Sequence, residues 1–129
     1  MKPRFRAWLK KKQEMDNEID HISWLEYELY CIGDGITYMV SAEDLELMQS
    51  TDMVDRDGKI IFEGDIVKMA KDVYSEPTYY EVVRHRGGAY RLESKQHGCE
   101  LWLRHTDCEV VGNIYENREL LEDKECTQK

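Results

Sequence analysis

The sequence predicts a mostly-β fold, a small SH3-like barrel with an N-terminal strand-rich segment and a short C-terminal helix. Three observations predict it. Apolar residues recur with a period of two along several stretches, as in "RFRAWLK", the signature of half-buried strands. From Asp65 onward, strand-like runs are separated by glycine-bearing turns at Gly87-Gly88 and His97-Gly98, where the chain reverses at little steric cost. Those runs follow the order long loop, hairpin, hairpin, 3₁₀-like link, the layout of a five-strand meander whose closure removes exposed edges.

Taken in order, the first element alternates Phe5, Ala7 and Leu9 against Arg6, Trp8 and Lys10 and reads as a strand. "KKQEMDNEID" reads as a polar connecting loop. "ISWLEYELYCI" alternates again and is rich in aromatics, which favours a strand, although Leu25, Leu29 and Ile32 also fit helical spacing. "GDG" at 33–35 is a turn into the return strand "ITYMV". "SAEDLELM" offers Ser41 and Asp44 in capping-box spacing with Leu45 and Met48 three apart, which predicts one or two helical turns. "DRDG" is a turn in which Gly58 takes a positive φ. "DIVKM", "YYEVVRHR", "AYRLES", "CELWLRH" and "CEVVGNIY" are the five barrel strands, with "AKDVYSEP" as the long loop and "HTD" as the 3₁₀ link. Their predicted interior is Ile66, Val82, Tyr90, Leu92, Leu101, Leu103, Val110 and Ile114. Asn117 is placed to cap a helix over 118–123, with Glu119 in its first turn. One domain is expected: a β segment over 1–52, the barrel over 53–115, and a helix and tail over 116–129.

Composition bounds the function. The 129 residues are 41% hydrophobic and 35% charged, a globular balance, and no apolar run reaches the ~20 residues of a membrane helix. The basic N-terminus lacks the apolar core of a secretory signal, so the expected location is a cytoplasm. There the four scattered cysteines, Cys31, Cys99, Cys108 and Cys126, are expected to be free thiols. Net charge is −9. Residues 1–12 carry +6 and the rest −15, so a basic arm precedes an acidic body that repels nucleic-acid phosphate.

Three stretches, "FRAWLKKKQEM", "LMQSTDMVDRDGKIIFEGDIV" and "CEVVGNIYENRELL", resemble, in the same order, the YopX family of small phage and prophage proteins. The resemblance spans essentially the whole chain. It implies a YopX-like, mostly-β fold and a phage or prophage origin, and it brings no catalytic or binding residue. The chain departs from the family pattern at Thr51-Asp52-Met53, where Thr-Gly-Leu is usual, and at Arg118, where proline is frequent. Aspartate tolerates the left-handed conformation that a glycine at 52 implies better than most residues do.

Each chemical motif has a bland reading beside it. Asp55, Asp57 and Asp65 surround glycines, as calcium ligands do, but "KIIF" sets apolar residues where further ligands are needed, so turn chemistry is the better reading. His97, Cys99, His105 and Cys108 carry zinc-type donors, but their H-x-C-x₅-H-x₂-C spacing is not a common zinc motif. No metal and no cofactor are expected. Cys108 near His105 is the one thiol–base pair close in sequence, and without a surrounding signature it does not predict an enzyme. Tyr74, Tyr79 and Tyr80 border the long loop where barrels of this type place a ligand groove. Arg84 and Arg86 lie on the following hairpin, with Arg91 on its partner.

The function expected is therefore a non-catalytic protein–protein interaction module acting on a host or phage protein. Its contact residues are Tyr74, Tyr79 and Tyr80. The alternative is a nucleic-acid-binding accessory protein that uses the basic arm with Arg84, Arg86 and Arg91. Homo-oligomer formation is a third expectation, and a membrane role is not expected.

Overall fold

The computed structural model describes residues 4–19, 21–25, 29–34, 36–70, 76–95 and 98–122. It is mostly β, and the chain divides into two compact units, residues 1–50 and 51–129.

In the first unit, β1 (Phe5–Leu9) lies between β2 (Glu14–Ile19) and the first part of β6 (Leu45–Val54). Both neighbours are antiparallel, with Trp8 opposite Met15 and Glu46. A second sheet holds β3 (His21–Leu25), β4 (Leu29–Asp34) and β5 (Ile36–Ser41) in that order. Ala7, Ile19, Ile32 and Leu45 form the buried core, with Phe5, Leu9, Ile22, Tyr30, Val40 and Leu47 packed against it.

Three expectations change in this unit. The polar connector contains strand β2. Only Ile19 of it is buried, and its acidic, exposed positions suit a sheet edge, where charge discourages pairing with other chains. The single aromatic strand is two strands, a β3–β4 pair with Trp24 opposite Tyr30. Alternation is the same in both arms, so it carried no sign of the reversal, and residues 26–28 lie outside the described residues. The helical turn after Ser41 is a 3₁₀ turn over Ala42–Asp44 alone, and Ser41 makes no capping bond. Leu45 and Met48 belong instead to β6, where pairing with β1 overrides their helical spacing.

In the second unit, β7 (Ile60–Phe62) precedes a five-stranded antiparallel sheet in the order β11-β10-β9-β8-β12, built from β8 (Asp65–Met69), β9 (Thr78–Arg84), β10 (Tyr90–Glu93), β11 (Gly98–Glu100) and β12 (Glu109–Asn113). The sheet is a curled half-barrel with β11 and β12 at its edges. Register fixes its faces. Val110–Val67–Tyr80 and Val82–Leu92–Cys99 are cross-strand rows on the inner face. With Ile61, Met69, Leu101 and Cys108 they form the core. Lys68–Tyr79 and Glu81–Glu93 lie on the other face.

"CELWLRH" is strand only to Glu100. Leu101–Arg104 forms a single helical turn, α1. Leu103, predicted inside, is therefore 57% exposed while Leu101 is wholly buried. Residues two apart share a face in a strand but diverge by about 200° in a helix. The "HTD" link is a 3₁₀ turn. The C-terminal helix is a 3₁₀ turn over Arg118–Leu121, not capped by the Asn117 side chain.

Asn117 Oδ1 instead accepts from the Asn113 amide at 3.2 Å. Asn113 Oδ1 accepts from Tyr115 and Glu116 amides, each at 2.9 Å. This folds "NIYEN" against β12. A β-carbon on Gly112 would sit 2.5 Å from Asn117 Oδ1, so glycine is required there for close approach.

Candidate functional site

The aspartates around Gly58 act on backbone. Asp55, 3% exposed, follows β6 directly, and its Oδ1 accepts from the Asp57 and Lys59 amides, both at 2.9 Å. Its Oδ2 accepts from the Val110 amide on β12, also at 2.9 Å. Asp65 Oδ2 accepts from the Phe62 amide at 2.8 Å. Gly58 takes φ 84°, as the turn requires. Asp52 also has positive φ, 63°, at the position where the family pattern has glycine. Among the described residues, no group of three or more His, Cys, Asp or Glu side chains is arranged to hold a metal ion.

His97 lies outside the described residues, so the four-donor cluster is represented by Cys99, His105 and Cys108. Cys108 is fully buried and its Sγ donates to the Arg104 carbonyl at 3.3 Å. Burial, with the nearby Cys99 and Asp107, pushes its thiol up to about 12. Burial raises Cys99 as well. His105 Nδ1 donates to the Val54 carbonyl at 2.8 Å. A thiol held neutral and turned to a carbonyl lacks the character of an activated nucleophile.

The tyrosine triplet does not form one exposed surface. Tyr74 lies outside the described residues. Tyr80 points into the core at 8% exposure, and burial raises its hydroxyl pKa. Tyr79 is half-buried on the opposite face, beside Lys68. The split follows from adjacency, because neighbouring strand residues face opposite ways.

Of the arginines, Arg84 is exposed at the end of β9, and the side chain of Arg86 lies outside the described residues. Arg91 bonds Glu100 at 2.7 Å and pairs with Glu93 at 3.6 Å. Its charge is met by acids on its own sheet face.

What the sequence reading missed is the outer side of α1. Leu101 is the buried anchor, and it leaves Trp102 63% and Leu103 57% exposed. Arg104 Nε, at the end of the turn, bonds Asp107 Oδ2 at 3.0 Å. The signal was "LWLR" itself, four bulky residues in a run where strict alternation breaks. In the first unit, an open groove of about 520 Å³ is bordered by Lys12, Glu14, Asp16, Glu18 and Tyr38. The Tyr38 hydroxyl donates to Asp16 Oδ2 at 2.6 Å.

Comparison with known proteins places this geometry. The family model "YopX protein" matches residues 4–122. Protein EF1440 from Enterococcus faecalis is similar in structure with TM-score 0.59 and 27% identity, over 93% of this chain and 98% of that one. YopX from Bacillus subtilis matches with TM-score 0.68 and 20% identity, over 95% and 100% of the respective chains. A search of curated proteins finds no match.

Proposed function

The chain belongs to the YopX family, and from that premise we propose that it is a non-catalytic protein-interaction module, made by a phage or prophage and acting on a host or phage protein in the bacterial cytoplasm. One observation carries the reading. Trp102 and Leu103 stand exposed side by side on an element whose own anchor, Leu101, is wholly buried. Large apolar side chains held outward by a fixed element are the usual centre of a protein contact, tryptophan above all. Tyr79 lies on the sheet face opposite the core that holds Leu101, and Tyr80 belongs to that core, so neither is part of this surface. Direct nucleic-acid binding has less support, since the net charge is −9 and Arg91 is paired with Glu93 and Glu100.

The test is affinity capture from infected or lysogenic cells with the tagged full chain and a Trp102→Ala/Leu103→Ala variant. Both side chains are exposed, so the variant keeps the wild-type melting temperature. The reading expects a protein captured by wild type and lost with the variant. An identical captured set from both chains overturns this surface as the site.

A further inference from the structure

We propose that the outer face of the sheet β3-β4-β5 binds one copper(I) ion, held by the Cys31 thiolate, the Met39 thioether and the His21 imidazole. Register brings these donors to one place. Ile22, Tyr30, Ile32 and Val40 turn toward the core of the first unit, so the odd-numbered residues of the three strands lie on the opposite face. There Ser23, Cys31 and Met39 form one cross-strand row, in which neighbouring β-carbons stand about 4.5–5.5 Å apart. His21 is on the same face of β3, one row along. Its Nε2 lies 2.9 Å from Ser23 Oγ, which turns the imidazole toward the row that holds Cys31. Cys31 is a half-buried free thiol, His21 is exposed and Met39 is 67% exposed, so an ion from solvent can reach all three.

The donor set selects the metal. Thiolate and thioether are soft ligands that favour copper(I), and imidazole suits copper as well. Zinc is served poorly, because a thioether is not among its usual ligands and only two zinc-type donors remain. Calcium and magnesium need oxygen ligands, and the described side chains of this face include no carboxylate. Charge agrees with the choice, since one thiolate neutralises one monovalent cation. Binding forms a copper–sulfur bond at Cys31 while its S–H proton passes to water, and the oxidation state of the ion is unchanged. With Nε2 held by Ser23, Nδ1 is the coordinating nitrogen of His21. Met39 has three rotatable side-chain bonds to bring its sulfur over the row. The strands themselves are already paired, so only side chains move.

The experiment is anaerobic titration of the reduced full chain against bicinchoninate, a coloured copper(I) chelator, beside X-ray absorption at the copper edge. The chain is expected to withdraw one copper(I) per molecule, with two sulfurs and one nitrogen around it. Cys31→Ser abolishes the uptake. Met39→Leu and His21→Gln alter exposed side chains, keep the metal-free melting temperature, and each weaken uptake by about tenfold or more. Cys99→Ser/Cys126→Ser binds as wild type does, and copper(I) raises the melting temperature of wild type but not of Cys31→Ser. No uptake, uptake that survives Cys31→Ser, Met39→Leu binding as tightly as wild type, or equal retention of zinc each overturns the proposal. All of these outcomes leave the α1 surface and its capture experiment untouched.

Discussion

Replacing Asp55 with alanine should cost about 4 kcal/mol, and the structure says where the loss arises. The carboxylate accepts three amides: Asp57, Lys59 and Val110. Val110 is half-buried on β12, and an N–H stranded there costs about 1–3 kcal/mol. The other two amides sit in an exposed turn where water can replace the carboxylate, so each contributes about 0.5–1.5 kcal/mol. Asp57 is exposed and within two residues, yet its alanine variant should fall within about 0.5 kcal/mol of wild type. Urea unfolding followed by circular dichroism measures both, and Asp55→Ala should melt about 10–20 °C early. Equal, small losses at the two positions would refute the reading that Asp55 clamps the turn to β12.

Three further outcomes follow from burial and backbone geometry. Cys108 titrates near 12 folded against an ordinary 9.0, so its stabilisation is complete below about pH 9 and declines as pH rises toward 12. Cys108→Ala should flatten that alkaline loss, with Tyr80 and Tyr90 retaining part of it because burial raises them too, and thermal melts across this pH range test it. At Asp52, φ 63° predicts that valine costs about 1–2 kcal/mol, whereas glycine holds or raises the melting temperature. Leu92→Ala should cost about 2–5 kcal/mol in a full core, while Leu103→Ala changes stability by less than about 0.5 kcal/mol. Equal losses at the two leucines would contradict the helical turn.

Much of the fold was legible because alternation and turn residues act locally. Phe5–Leu9, Asp65–Met69 and the β9–β10 hairpin follow from period-two patterning and Gly87-Gly88, and the positive φ at Asp52 was implied by the family's glycine. What failed depended on partners distant in sequence. β2 is polar because one side of it faces water, and only its pairing with β1 makes it a strand. Leu45 and Met48 had helical spacing that β1 overrides. Tyr79 and Tyr80 looked like one surface until the register of β8 and β9 sent them to opposite faces. At the candidate site, α1 was hidden because apolar "LWL" reads equally well as a buried strand.

Site-specific photocrosslinking in infected or lysogenic cells tests the interaction reading most directly. A benzophenone side chain placed at Trp102 or Leu103 should yield a discrete adduct between this chain and one other protein, while the same probe at exposed Lys59 yields none. Only self-adducts, or no adduct at either α1 position, would contradict it.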